Sequence, residues 1–204
     1  MNHRSLDVSG LPSYKFSHAS LMWWGLMGLI AIEGMAFALS LAMYFYLWSQ
    51  APQWPIAAAP PDLRWGTLNV LVLFASIFPN HWTKRVAEQG NEPAMRLGLL
   101  VCGLFGITLI AVRALEFTTL NCRWDTNAYG SIVWLLLGLH TTHLVTDVYD
   151  TLVLAALFFT PGPREGRRHV DVSENSMYWY FVVWSWLPIY AVIYLVPRLT
   201  QWTA

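Results

Sequence analysis

Several ionisable side chains stand inside long apolar stretches of this sequence, where a charge is costly unless protein surrounds it or pairs with it. They include Glu33, Arg113, Glu116, His140, His143, Asp147 and Asp150. Carboxyl and imidazole groups in such places can exchange protons, bind a metal or hold a lipid headgroup. We therefore treat them as the candidate functional residues.

Glu33 lies some twelve residues into the first apolar stretch, which places it near the bilayer midplane at about 1.5 Å per residue. Two hypotheses stay open for it: a proton-active or lipid-gating carboxyl that faces a partner, or a protonated side chain hydrogen-bonded to a neighbouring helix. No cation stands on the same stretch. Its partners must come from other helices, and His140 and His143 are predicted at equal depth.

A polar stripe runs along the fourth stretch, because His140, His143, Asp147 and Asp150 are spaced by three, four and three residues. Imidazole and carboxylate groups in this pattern could bind a metal. No second stretch offers the Glu-x-x-His partner that di-iron bundles use. The spacing therefore favours a hydrogen-bonded seam or a headgroup pocket, and we expect no metal.

Arg113 and Glu116 are three residues apart and are predicted to pair on one helix face. A lipid phosphate is the alternative partner for Arg113. Cys102 and Cys122 form no metal or redox motif, so free thiols are expected.

The elements that carry these residues are predicted from hydropathy. Of 204 residues, 56% are hydrophobic and 12% are charged. Twelve basic residues balance twelve acidic ones, so the sequence has no excess of positive charge that would favour binding to nucleic acid. Stretches of about 20 apolar residues span a bilayer as helices. We predict an all-α fold, a membrane helical bundle forming a single domain over residues 1–204, with five transmembrane helices at 21–48, 65–82, 97–120, 128–159 and 177–197. Tryptophans at the predicted helix ends are expected as interface anchors: Trp23, Trp48, Trp65, Trp82 and Trp179.

Basic residues in the connections predict the orientation. One side holds eight: Arg4, Lys15, Lys84, Arg85, Arg96, Arg164, Arg167 and Arg168. The other holds three: Arg64, Arg123 and Arg198. The asymmetry predicts a cytoplasmic N-terminus and a periplasmic C-terminus.

Short motifs succeed one another along these stretches: Ile32-Glu33-Gly34, Thr67-Leu68-Asn69, Gly90-Asn91, Leu115-Glu116-Phe117, Gly138-Leu-His140-Thr-Thr-His143 and Tyr178-Trp-Tyr-Phe-Val182. Their order over residues 21–197 resembles subunit III of haem-copper respiratory oxidases, the cytochrome c oxidase subunit 3 family, in its short five-helix bacterial form. The chain departs from the family pattern at Thr141 and Asp147, where glycine is usual, at Tyr180, where histidine is usual, and at Val183, where aspartate is usual.

The resemblance implies a non-catalytic subunit in the bacterial inner membrane that supports proton uptake and stability during aerobic respiration. Its partners would be subunit I, other oxidase subunits, membrane phospholipid and a larger respiratory supercomplex. Haem and copper would lie in the partner subunits, with structural phospholipid but no cofactor in this chain. It also implies lipid-binding or proton-related roles for Glu33, Arg113, Glu116, His140 and His143. Subunit-interface candidates are Asp147, Asp150, Trp179 and Tyr180.

Three alternatives are weighed beside this one. A subunit III-like accessory protein of a nitric oxide reductase fits the same motifs. A small membrane metalloenzyme would use Glu33, His140, His143 and Asp147. A transporter would show discontinuous helices and an inverted repeat, and the sequence shows neither.

Overall fold

The computed structural model describes residues 15–160 and 166–201, and these residues form helices without a strand. After a short 3-10 turn at Ser17–Ala19, the long helices are α1 (Leu21–Gln50), α2 (Leu63–Glu88), α3 (Glu92–Thr118), α4 (Ala128–Phe159) and α5 (Arg167–Tyr190). A π-helical segment, Ala191–Leu195, joins α5 to the short α6 (Val196–Gln201). Arg4 and Arg164, which the orientation prediction uses, lie outside the described residues.

Polar capping residues begin four of the long helices. The side chains of Ser20, Asp62, Asn91 and Asn127 each accept a hydrogen bond from a backbone N–H of the first turn. Gly90, with φ of 70°, ends α2 by taking the left-handed conformation that glycine accepts without strain. These local signals place the helix boundaries.

Helices α4 and α5 lie at the centre of the bundle. They contact each other and α1, α5 also contacts α2, and α3 packs against α2 and α4. Helix α1 lies at the edge and buries only Phe37 and Tyr44 along its length. The polar residues described below are gathered around α4 and α5.

Helix α2 buries several uncharged polar residues. Its buried positions include Asn69, Ser76, Asn80 and Thr83, while Leu71 and Phe78 are exposed. Within the described residues, four helices are long and apolar enough to cross a membrane, namely α1, α3, α4 and the continuous helix Arg167–Leu199. Helix α2 is not among these four, because its inward-facing polar side chains lower its hydropathy. The all-helical bundle is confirmed, and the count of five spans stays a prediction.

The fifth helix begins ten residues earlier than the sequence predicts, at Arg167 rather than Met177. This extension carries Asp171 and Glu174 and places Trp179 inside the helix instead of at its end. Trp179 is buried, and its indole Nε1 donates to Ser76 Oγ at 2.8 Å. Its predicted role as an interface anchor is therefore wrong.

Candidate functional site

The carboxylate of Glu116 is the acceptor at the centre of a buried polar cluster. Arg113 Nη1 donates to Glu116 Oε2 at 2.8 Å, and Asn69 Nδ2 donates to the same oxygen at 3.0 Å. The hydroxyl of Tyr194 donates to Oε1. Arg113 is 1% and Glu116 0% exposed, so the predicted pairing is confirmed and is shielded from water.

Arg113 also fixes the ring of His140. Arg113 Nη2 lies 3.1 Å from His140 Nδ1, and His140 Nε2 lies 2.9 Å from the carbonyl oxygen of Val182. A guanidinium only donates and a carbonyl only accepts, so the network assigns the proton to Nε2. The guanidinium also lies 3.9 Å from the ring centroid of Trp186, a cation–π contact. His140 is thus part of the interior cluster.

The π-helical segment positions Tyr194 in this cluster. An i→i+5 turn accommodates an additional residue and changes the direction in which the later side chains point. A Cβ on Gly66 would lie 2.6 Å from the Tyr194 ring, so the glycine lets α2 approach the ring. Tyr190 stacks on Tyr194 with centroids 5.2 Å apart. Gly66 on α2, Tyr190 on α5 and the π-helical segment therefore all help to hold the Tyr194 hydroxyl against the Glu116 carboxylate.

Glu33 forms a second, separate polar site with residues of α4 and α5. The Tyr178 hydroxyl donates to Glu33 Oε2 at 2.6 Å, and His143 Nε2 lies 3.6 Å from Oε1. Phe37 packs against His143 with ring centroids 4.8 Å apart. The expectation that Glu33 lies beside His143 is confirmed. The expectation for His140 is wrong, because Arg113 and Val182 hold that ring.

Glu33 and Tyr178 lie at one end of a cleft of about 760 Å³ between α1 and the α4–α5 pair. The α1 wall is apolar apart from Glu33 and comprises Leu21, Met22, Gly25, Leu26 and Leu29. The opposite wall carries acidic groups on α4 and α5: Asp147, Asp150, Asp171 and Glu174. Arg113, Glu116, His140 and His143 are not among the residues that line this cleft.

The remaining predicted interface residues are spread over the bundle. Asp150 is exposed and lines the cleft, whereas Trp179 is buried against α2. The Tyr180 hydroxyl lies 2.9 Å from His81 Nδ1 on an exposed part of α2. Their roles as subunit contacts stay predictions.

Trp186 and Tyr194 of these two sites were missed at the sequence level, and Asn69 and Tyr178 entered only as members of the family motifs. The pairing partners of Glu116 come from α2 and the π-helical segment, forty-seven and seventy-eight residues away. An isolated tyrosine or asparagine in an apolar stretch does not indicate which carboxylate it will reach. The available signal was general: a polar group inside a membrane helix needs a buried partner.

Among residues 15–160 and 166–201, no group of three or more His, Cys, Asp or Glu side chains lies close enough together to hold a metal ion. Both cysteines are free. Burial raises the pKa of the loop thiol of Cys122 to about 11, which makes it a weak nucleophile. The arrangement supports hydrogen-bonded packing and amphiphile binding.

Comparison with known proteins gives a consistent result. Residues 22–197 match the family described as cytochrome c oxidase subunit III. The chain is 24% identical over 183 residues to cytochrome c oxidase subunit 3 of Thermostichus vulcanus, covering 89% of this chain and 90% of that protein. It is 28% identical over 175 residues to a probable cytochrome c oxidase subunit 3 of Mycobacterium tuberculosis, covering 82% and 84%. It is 27% identical to the subunit 3 of Oryctolagus cuniculus over 203 residues, covering 92% and 76%.

We predict that Glu116→Leu destabilises the purified protein by about 3–5 kcal/mol, because the guanidinium of Arg113 stays buried without its counter-ion. The double variant Arg113→Met, Glu116→Leu is expected to be less destabilised than Glu116→Leu alone. Thermal unfolding in detergent measures both. Asp125→Asn is the control, since its partner Arg123 lies with it in an exposed loop, and it should leave the unfolding temperature unchanged. A double variant that is less stable than Glu116→Leu would contradict the prediction.

Proposed function

The chain belongs to the cytochrome c oxidase subunit III family and is a subunit of a haem-copper oxidase, and from this premise we propose that it supports the catalytic subunit without a catalytic centre of its own. Neither the nitric oxide reductase accessory protein nor the metalloenzyme is favoured. The observation that carries the proposal is that hydrogen bonds between helices hold Arg113, Glu116 and His140 in place. Both carboxylate oxygens of Glu116 and both ring nitrogens of His140 have protein partners. Side chains that are hydrogen-bonded in this way hold neighbouring helices in fixed positions relative to one another.

The proposed partners are subunit I, other oxidase subunits and a phospholipid in the cleft between α1 and the α4–α5 pair. Support for the lipid comes from the cleft itself, which sets an apolar wall opposite a polar one. Its apolar wall runs twelve residues from Leu21 to Glu33, about 18 Å at the rise of an α-helix. That depth suits an acyl chain of one bilayer leaflet. The lipid and the cluster would together sustain proton uptake and stability during oxygen reduction.

The proposal is tested by purification of the chain from the bacterial inner membrane in mild detergent. We expect a large protein with haem and copper to travel with it. Metal analysis should assign haem and copper to that partner, and no stoichiometric iron, copper or zinc to the separated chain. A chain that purifies without a haem protein, or that retains a metal dependent on His140 and His143, would contradict the proposal.

Five membrane spans with a cytoplasmic N-terminus are part of the proposal. The asymmetry of basic residues supports the orientation, and the exposed Leu71 and Phe78 on α2 support a fifth span. We expect a topology reporter fused after Ala204 to be active on the periplasmic side, and one fused in the connection after Phe159 to be active in the cytoplasm. A cytoplasmic signal from the C-terminal fusion would exclude this topology.

We propose that Glu33 stabilises the oxidase complex during turnover through the hydrogen bond that it accepts from the Tyr178 hydroxyl. Glu33→Gln keeps an acceptor oxygen, so assembly and the initial rate of oxygen consumption should be retained. Glu33→Ala leaves the hydroxyl without its acceptor, at a cost of about 1–3 kcal/mol, and should shorten the number of turnovers before inactivation.

Oxygen consumption over many turnovers, with bound phospholipid counted alongside, measures this effect. Tyr178→Phe is the matched variant, because it removes the donor of the same bond and should also shorten the working life. Loss of activity from the first turnover in Glu33→Gln would mean that Glu33 takes part directly in the chemistry.

A further inference from the structure

A small cavity lies inside the bundle, where α2, α3, α4 and α5 form a ring. Each of these helices packs against the next, so α2 and α4 lie diagonally across the ring. All four helices contribute to the lining of the cavity, which comprises Ser76, Asn80, Cys102, Val148, Thr151 and Trp179. Every one of these residues except Cys102 is buried. Among the described residues, none of the six lines the cleft beside α1, so the cavity is a separate site.

The size and the lining of this cavity suit one water molecule. Its volume is about 10 Å³, and a single water needs about 10–15 Å³. Cavities that stay dry inside proteins are lined by apolar side chains. Here Ser76, Asn80 and Thr151 bring polar groups to the wall. The volume excludes a larger ligand, and the polar lining favours water over an empty space.

Asn80 on α2 supplies a hydrogen-bond acceptor. Its Nδ2 donates to the carbonyl oxygen of Ser176 at 2.9 Å. Because a carbonyl only accepts, this bond assigns the nitrogen and the oxygen of the amide. Asn80 is 4% exposed, and its Oδ1 has no donor within the described part of the chain. A buried amide oxygen without a donor is unfavourable, and a water in the cavity would remove this cost.

Thr151 on α4 supplies a donor. The hydroxyls of Thr141, Thr142 and Thr146 on the same helix each donate to a backbone carbonyl of the preceding turn. Thr151 Oγ1 instead accepts from Asn175 Nδ2 at 2.8 Å. Its own proton finds no acceptor among the described residues, so it can be donated to a molecule in the cavity.

We propose that this cavity binds one ordered water molecule, which accepts a hydrogen bond from the Thr151 hydroxyl and donates one to Asn80 Oδ1. Its second hydrogen is donated to Ser76 Oγ, which accepts from Trp179 Nε1, donates to the carbonyl of Leu73 and keeps one lone pair. Three partners are typical of a buried water. The water joins α2 to α4 across the ring, whereas the two helices otherwise pack through α3 and α5.

The test uses the intact haem-bearing complex, imaged by electron cryo-microscopy at a resolution that shows ordered waters inside the other subunits. We expect a density within hydrogen-bonding distance of both Thr151 Oγ1 and Asn80 Oδ1. Thr151→Val keeps the shape of the side chain without its hydroxyl and should remove the density, whereas Thr151→Ser keeps the hydroxyl and should retain it. Thr108→Val is the matched control, because this hydroxyl donates to the carbonyl of Leu104 on the exposed side of α3. An empty cavity in the unmodified complex, or a density that persists in Thr151→Val, would overturn the inference.

Thermal unfolding of the same complex measures the link between the two helices. Asn80→Ala and Thr151→Val should each lower the unfolding temperature. Both remove a partner of one water, so the double variant should lose less than the sum of the two single shifts. Asn80→Ala combined with Thr108→Val should give the sum.

Additive shifts for Asn80→Ala and Thr151→Val would contradict the water bridge. A higher unfolding temperature in Thr151→Val would contradict it too, because that is the effect of making a dry cavity more apolar. Either result in a complex that still holds its haem leaves the proposed oxidase function intact.

Discussion

The buried ion pair of Arg113 and Glu116 is the constraint on which the rest of the bundle depends. Two charges removed from water cost several kcal/mol each, and their mutual attraction offsets that cost only when further hydrogen bonds complete the geometry. Here α2 supplies an amide, α4 an imidazole and the π-helical segment a phenol. The pair therefore specifies how α2, α3, α4 and the last helix must be arranged, and a different packing would leave a charge without partners.

The fifth membrane span that we propose for α2 would explain its inverted pattern. In water, a helix buries its apolar face because hydrocarbon is excluded from solvent. In lipid, the apolar residues are already in a compatible medium, and the polar ones must find partners inside the protein. Asn69 and Asn80 therefore face inward, where they donate to Glu116 and to the carbonyl of Ser176. A helix of this kind has a low mean hydropathy although its outer surface is apolar.

Much of this architecture could be predicted from the sequence because its signals are local. The long apolar stretches, the i, i+3 pairing of Arg113 with Glu116 and the shared face of His143 and Asp147 depend on spacing within one helix. The partners of Glu33 and Glu116 depend on which helices become neighbours, and spacing within one helix does not contain that information. The start of α5 was missed for a different reason: the charges at Arg167, Asp171 and Glu174 mark the end of an apolar stretch, but a helix continues through them. Hydropathy locates the membrane portion of a helix, not the helix itself.

The π-helical segment Ala191–Leu195 determines where the Tyr194 hydroxyl lies relative to the Glu116 carboxylate. An α-helix turns by about 100° for each residue, so if this segment were regular α-helix with the same residues, the side chains after it would be rotated by up to about that angle relative to α5. Tyr194 would then face away from Glu116, which lies on a different helix and seventy-eight residues earlier in the chain. Side chains on the outer surface of this last helix can vary, because lipid accepts many apolar groups. The π-helical geometry of Ala191–Leu195 cannot vary in the same way, since it sets the direction from which the phenol reaches a buried carboxylate.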